Sequence, residues 1–348
     1  MAPTNRALVL NTVGAPLELT TLPYTRPGPN QLVVKNGAFA INSVDAGITM
    51  WGPSLFSYLR LPCVVGVDVA GEVVEVGSEV SRFLVGDRIL AYAAGTIPCG
   101  NRVAEGGFQD FTVVHEHLAA PIPASLAYES ACVLPLCFST TAYGLFHHDF
   151  LALTLPSVPA VKPTTSRAVI ITSGTSSVGS NAIQLAVAAG YEVYSTASRA
   201  NFELVRGLGA TAVFDYHDDA CAADMVAALR GKEVVGAMSI NPGGVAICAD
   251  VLKNTNSTKM FIADAGPPPP TGYPESITSK FIDLLDVGEP EAVVGRLFRD
   301  FLPQALAAGS FRAAPRPEIV GSGLESVQKA LDARSKGVFA VKPVITLS

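Results

Sequence analysis

The residues that could do chemistry here begin with Ser173-Gly174-Thr175-Ser176-Ser177-Val178-Gly179, set between an apolar run and an alanine-rich one. Glycines at 174 and 179, between a strand and a helix, allow backbone amides at the helix N-terminus to close around a pyrophosphate. Gly174 is expected to serve the tight turn and Gly179 the close contact of helix and sheet. Ser176 stands where the fingerprint usually has its middle glycine, and its hydroxyl can donate to a phosphate. The amides of Thr175, Ser177 and Val178 complete the expected cradle. Paired glycines are common in turns, so the signal lies in the strand-turn-helix context.

A dinucleotide site preferring NAD carries an acidic side chain about 20 residues after the first glycine, at the end of the second strand. That place reads Ser195-Thr196-Ala197-Ser198-Arg199, and Glu192 lies at the wrong end of the strand. Hydroxyls of Ser195 and Ser198 with the Arg199 guanidinium suit a 2′-phosphate, because Arg offers several donors and a fixed charge. NADPH is therefore the expected cofactor. Tyr216, just past the third strand, adds a hydroxyl to that pocket or serves as an aromatic rim.

No metal centre is expected. Cys63, Cys99, Cys132, Cys137, Cys221 and Cys248 are scattered with no CxxC pair, which fits neither a structural zinc site nor a disulfide framework. His115-Glu116-His117 alternates along a strand without a third ligand and reads as a surface strand edge, and His147-His148 calls for the same caution.

These residues need elements to position them. From about residue 167, short apolar strands alternate with amphipathic helices, the pattern of a doubly wound parallel sheet. Strands are expected at 168–172, 192–196, 212–215, 234–238 and 259–263, with helices at 177–189, 201–208, 220–229 and 244–253. The first 125 residues carry short β runs at 6–10, 32–40, 68–76 and 88–92 separated by Gly and Pro turns, a barrel-like module. Pro267 to Pro270 is a stiff extended loop leaving the fifth strand, placed to line a substrate entrance or to act as a spacer.

At 348 residues, a prior of about 150 residues per domain gives roughly two domains. Charged residues make up 16% against a usual ~25%, which leans toward buried strands and alanine-rich helices. The net charge of -6 and the lack of a basic cluster argue against nucleic acid as a partner. Mean hydropathy is positive at +0.36, yet no apolar window reaches the ~18 residues of a membrane span, and no signal peptide is apparent. A reducing cytosol is the expected compartment.

The N-terminal half carries a resemblance. Gly66-Val67-Asp68-Val69-Ala70-Gly71-Glu72-Val73-Val74-Glu75-Val76-Gly77, Phe83 and Val85-Gly86-Asp87-Arg88 resemble the medium-chain dehydrogenase/reductase superfamily. Gly107-Phe108-Gln109-Asp110-Phe111, Leu134-Pro135-Leu136 with Thr140-Thr141-Ala142, Ala200-Asn201-Phe202, Gly209-Ala210 and Val213-Phe214-Asp215-Tyr216 extend it over nearly the whole chain. The subgroup looks like the fungal zinc-free reductases that include trans-acting enoyl reductases.

The resemblance implies an α/β protein: a GroES-like β-barrel catalytic domain (1–125), a Rossmann doubly wound NADPH-binding domain (126–308) and a C-terminal return to the first (309–348), with the active site in the cleft. Zinc-dependent members place His-Glu where this chain has Val67-Asp68, and a cysteine near Asn42, so soft and imidazole ligands are missing. Asn42 and Thr141 match positions beside the nicotinamide; Asn42 otherwise caps the next segment, and Thr141 otherwise starts a helix. Tyr58 lies in a loop flanking the cleft and is the candidate proton donor, with packed aromatic and solvent-supplied proton as alternatives. Lys342 matches a lysine in the last strand of relatives and reads as support for the fold or cofactor edge.

The expected reaction is NADPH-dependent reduction of an activated double bond in polyketide or similar secondary metabolism. The substrate is a small-molecule or carrier-bound enone, a polyketide synthase a candidate partner, and the chain a monomer or homodimer. A quinone or small-enone reductase shares every cofactor residue. A redox-neutral cyclase-type catalyst or a binder on the same fold is the third reading.

Overall fold

The computed structural model describes residues 3–98, 100, 102–161, 166–269, 272–334 and 340–347. Cys99 and Pro270 lie outside them. The chain forms two compact units, residues 1–136 with 285–348, and residues 137–284.

Unit 1 carries β1 (Asn5–Leu10), β2 (Glu18–Leu22), β3 (Gln31–Ala40), α1 (Ser43–Trp51), β4 (Cys63–Val64), β5 (Asp68–Val76), β6 (Arg88–Tyr92), β7 (Phe111–His115), β8 (Ala119–Pro121) and α2 (Tyr128–Ala131). Helix α3 (Pro135–Phe146) leads into unit 2. Unit 2 holds β9 (Arg167–Ile171), α4 (Ser177–Ala188), β10 (Glu192–Ala197), α5 (Phe202–Gly207), β11 (Ala212–Asp215), α6 (Cys221–Ala228), β12 (Glu233–Ser239), α7 (Gly244–Lys253), β13 (Phe261–Asp264) and β14 (Thr278–Phe281). The chain returns to unit 1 through α8 (Val293–Asp300), α9 (Leu302–Ala307), β15 (Arg316–Ser322), α10 (Val327–Arg334) and β16 (Val341–Thr346). Helices α8 and α9, which the sequence range 126–308 assigns to the cofactor domain, pack against β8 of unit 1.

Unit 2 is a six-stranded, wholly parallel sheet in the order β11-β10-β9-β12-β13-β14. Its central strands are buried on both faces, which is why they read as unbroken apolar runs: Ala168, Val169, Ile170 and Ile171 of β9 are fully buried. The order reverses between β9 and β12, so the loop after β9 opens at the crevice where such sheets bind ligands. The sixth strand, β14, has an exposed, mixed pattern and carries no apolar signal. Pro267 to Pro269 leave β13 as irregular chain.

Unit 1 is a largely antiparallel β structure. A sheet in the order β15-β16-β3-β5-β6-β8, with β7 also on β3, stands with a three-stranded sheet β2-β1-β4. Their shared core includes Leu32, Phe39, Ile89, Phe108, Leu324 and Ile345. Strand β16, from the far end of the chain, lies between β15 and β3, so the sheet closes with residues that follow unit 2 in sequence.

Candidate functional site

The phosphate loop is built around one strained residue. Ser173 takes φ of 55°, a left-handed backbone that non-glycine residues rarely adopt. The tight turn thus falls on Ser173, and not on Gly174 as expected. Gly174 is needed for space instead: a Cβ there would stand 2.6 Å from Ser195 Oγ. A Cβ on Gly179 would stand 2.2 Å from the Ser173 carbonyl oxygen, so the close approach at Gly179 is to the loop itself.

Ser176 caps α4. Its hydroxyl donates to the Ser173 carbonyl at 2.8 Å and accepts from the Gly179 amide at 3.0 Å. That corrects its expected role, because a hydroxyl so engaged is not a free phosphate donor. The donors left are backbone amides: those of Thr175, Ser177 and Val178 make no hydrogen bond within the described residues, and the last two have no intrahelical acceptor. With the partial positive charge of the helix end, they form a cradle suited to a pyrophosphate. Thr141, fully buried in α3, donates to the Val178 carbonyl at 3.1 Å and braces the same turn. Replacing Ser176 by alanine removes the cap, and unit 2 is expected to lose about 1 kcal/mol in urea titrations.

The ribose end differs from expectation in two ways. Ser195 is fully buried and donates to the Ile171 carbonyl at 2.7 Å, so it supports the loop from beneath and does not face a 2′-phosphate. A carboxylate does stand nearby, contributed by the neighbouring strand: parallel pairing sets Asp215 of β11 beside Ala197 of β10. Arg199 is exposed, with its Nε 3.1 Å from Asp215 and a terminal nitrogen 3.5 Å from Asp218. Hydrogen bonds from His217 and then Arg199 hold the Asp215 carboxyl below its ordinary range. Ser198 accepts from the Asn201 amide at 2.9 Å, and the exposed Tyr216 ring rests on His217.

Unit 1 holds a second cluster, which the sequence reading did not assemble. Asn42, before α1, donates through Nδ2 to Asp68 Oδ2 at 2.9 Å and accepts at Oδ1 from the Lys342 ammonium at 2.5 Å. Lys342 Nζ also lies 3.0 Å from Asp68 Oδ2, and Asp68 Oδ1 accepts from the Leu136 amide at 2.6 Å in the first turn of α3. Asp45 accepts from the Asn42 amide at 2.7 Å. Both polar ends of the Asn42 side chain are thus engaged inside unit 1. Tyr58 is half-buried, its ring stacked on Phe56 and its hydroxyl 3.4 Å from the Thr96 carbonyl it donates to. A charged residue inside an apolar strand, as in Val67-Asp68-Val69 and Val341-Lys342-Pro343, was the available signal.

Residues 28–124 match the model of the alcohol dehydrogenase GroES-like domain. Dehydrogenase pigH of Monascus ruber is 45% identical, covering 99% of this chain and 100% of that protein. The chain belongs to the medium-chain dehydrogenase/reductase family. Another relative, trans-enoyl reductase himH of Aspergillus japonicus, is 38% identical over 91% of this chain and 90% of that protein. Among solved structures, an alcohol dehydrogenase superfamily protein from Novosphingobium aromaticivorans superposes with a TM-score of 0.78 at 25% identity, covering 99% of this chain and 100% of that one.

Membership of the medium-chain family makes the chain an oxidoreductase and implies a nicotinamide dinucleotide, which the amide cradle of unit 2 fits. Zinc, which some members use, is a different matter. The matching positions offer an amide, a valine and one carboxylate, and the lone pairs of Asn42 and Asp68 already face an ammonium. A divalent ion would share that space with a fixed positive charge and would lack thiolate and imidazole ligands, so the donor set does not fit zinc. Elsewhere among the described residues, His147, His148 and Asp149 lie together, but Asp149 is held by Lys280 at 3.3 Å. His115, at the end of the edge strand β7, and His117 are half-buried and not on the surface, and burial pushes the His117 imidazole down to about 4. No helix among the described residues is long and apolar enough to cross a membrane.

Proposed function

We propose that this protein is an NADPH-dependent reductase of an activated carbon-carbon double bond, acting without zinc on an enone or enoyl substrate of polyketide type, free or carrier-bound. The observation that carries the reading is the donor set around Asn42 and Asp68, where an ammonium takes the lone pairs a Lewis-acidic metal would need to activate an alcohol. An α,β-unsaturated carbonyl needs no such metal, since its own conjugation carries charge to the oxygen. The relatives named as trans-enoyl reductases support the substrate class.

When bound, the reduced nicotinamide supplies a hydride, which adds at the β-carbon while a proton reaches the α-carbon. The chain positions and excludes water. The amides of Thr175, Ser177 and Val178 hold the pyrophosphate, Thr141 keeps their turn in place, and Arg199 with Ser198 meets the 2′-phosphate. Tyr58 is the residue proposed to pass the proton from its hydroxyl.

The test is NADPH consumption with a series of enones and enoyl thioesters, followed at the reduced-nicotinamide absorbance band. Turnover on these substrates, with alcohols inert in the presence of NADP⁺, is the expected result; no consumption across the series would overturn the reading. Tyr58→Phe is expected to lower kcat by ~10²-fold, the ordinary contribution of a positioned proton donor, with KM little changed. An unchanged kcat would pass that role to solvent.

A further inference from the structure

The turn that follows β11 sets a titratable ring against the carboxylate that holds Arg199. Asp215 ends β11, and its Oδ1 accepts the His217 amide at 3.1 Å while His217 Nδ1 lies 2.8 Å from the same oxygen. Amide and ring grip one atom, in the local turn that aspartate favours, so the imidazole is fixed in place although most of it faces solvent. The Tyr216 ring flanks it, 4.1 Å away between centroids. The other carboxylate oxygen, Oδ2, accepts from Arg199 Nε at 3.1 Å, and a terminal nitrogen of Arg199 lies 3.5 Å from Asp218. One carboxylate thus answers to two cations, a permanent guanidinium and an imidazole that is charged only when protonated.

The charge count decides what the proton does. With the imidazole neutral, Arg199 meets two carboxylates, Asp215 and Asp218, and the three groups together are net negative. A 2′-phosphate carries close to two negative charges at neutral pH and is disfavoured beside such a group. A proton on His217 brings the balance to zero, engages Asp215 through Oδ1 and leaves Arg199 freer to turn to a phosphate. NADH has no phosphate there and gains far less from the same proton.

We propose that His217 is a proton-operated selector between the two dinucleotides: acting through Asp215, it raises the preference for NADPH over NADH as pH falls from 8 toward 6. This rests on the reading of Arg199 as the 2′-phosphate ligand and adds a regulation of that site. Imidazole is the side chain whose unperturbed titration falls between pH 5 and 8. The titratable and charged groups around it, among the described residues, are Asp215 of β11, Tyr216, Arg199 of the turn after β10, Asp218 and Asp219 of its own turn, and Cys221 with Asp224 on α6. His217 and Arg199 hold the Asp215 carboxyl below its ordinary range, and burial with the nearby carboxylates pushes the Cys221 thiol up to about 11, so neither changes charge over that interval.

The experiment is a calorimetric titration of the full chain with NADPH and with NADH at pH 5.8 and pH 8.0, on the parent and on two variants. His217→Asn keeps a donor near Asp215 Oδ1 but cannot titrate; His217→Lys carries a charge at both pH values. The 2′-phosphate itself gains a proton toward pH 6, and this enters all three proteins alike. From pH 8.0 to 5.8 the ratio of NADH to NADPH dissociation constants is therefore expected to rise about fivefold more in the parent than in His217→Asn. The lysine variant is expected to hold a ratio at pH 8.0 several-fold above the parent's and to follow the asparagine variant in its pH response. By linkage, the parent should also take up more protons than His217→Asn on binding NADPH, and no more on binding NADH. The same pH response in parent and His217→Asn, with NADPH still preferred, would overturn the selector and leave NADPH-dependent reduction standing. No preference for NADPH at either pH would overturn both.

Discussion

Gly179→Ala is expected to abolish dinucleotide binding while leaving the core of unit 1 intact. The added Cβ would stand 2.2 Å from the Ser173 carbonyl oxygen, a backbone atom that cannot turn aside as a side chain can. Ser173 already sits in a left-handed conformation, and its carbonyl accepts the Ser176 hydroxyl and the Ser176 amide. Moving that carbonyl unseats the cap of α4 and redirects the amides of Ser177 and Val178 together. A misaimed set of charged hydrogen bonds at ~1.5–3 kcal/mol each predicts an affinity loss of ~10²-fold or more, equal for NADPH and NADH. Calorimetric titration with both dinucleotides measures it. A loss under tenfold would show that the loop does not hold the pyrophosphate.

The second large effect is one of selectivity, carried by Arg199 and Asp215. If the guanidinium meets a 2′-phosphate, Arg199→Ala should weaken NADPH by ~10–100-fold and NADH by little, the worth of one or two charge-assisted hydrogen bonds. Asp215→Asn should act in the opposite direction. It removes the carboxylate 3.1 Å from Arg199 Nε, lessens the negative charge near the phosphate and frees the arginine, so NADPH should bind more tightly. The exposed position of Arg199 means that added salt should narrow both differences. Equal losses for the two cofactors in Arg199→Ala, or weaker NADH with Asp215→Asn, would assign this pair to the 2′-hydroxyl instead.

The cofactor unit was legible because its physics is local. Central strands buried on both faces leave apolar runs, and Ala182 to Ala189 with Gly190 marks a helix and its end without tertiary information. Strands β14 and β15 were not legible, since both expose much of their length and carry mixed side chains. The loop was found from its glycines, but which residue bears the strain was not, because φ at Ser173 depends on what surrounds it. Asp215 was not legible as a neighbour of Arg199 because it belongs to another strand, and only the parallel pairing of β10 with β11 brings the two together. The Lys342 cluster lay furthest from reach: its members are 300 residues apart along the chain, and only the sheet of unit 1 brings them together.

The place of β16 between β15 and β3 has a consequence for how the protein is made. Unit 2 is one continuous stretch, 137–284, so every strand of its sheet has been synthesised before α8 emerges from a ribosome. Unit 1 begins earlier and finishes later, for β3 waits on a partner strand at 341–346. During translation the second half of the fold is thus free to mature first, while the first half carries an unpaired strand edge and two carboxyls, Asp45 and Asp68, still without their ammonium. Domains emerging in order usually fold in order; here the sheet begun first can be completed only after the last strand has emerged, and until then its open edge stays exposed.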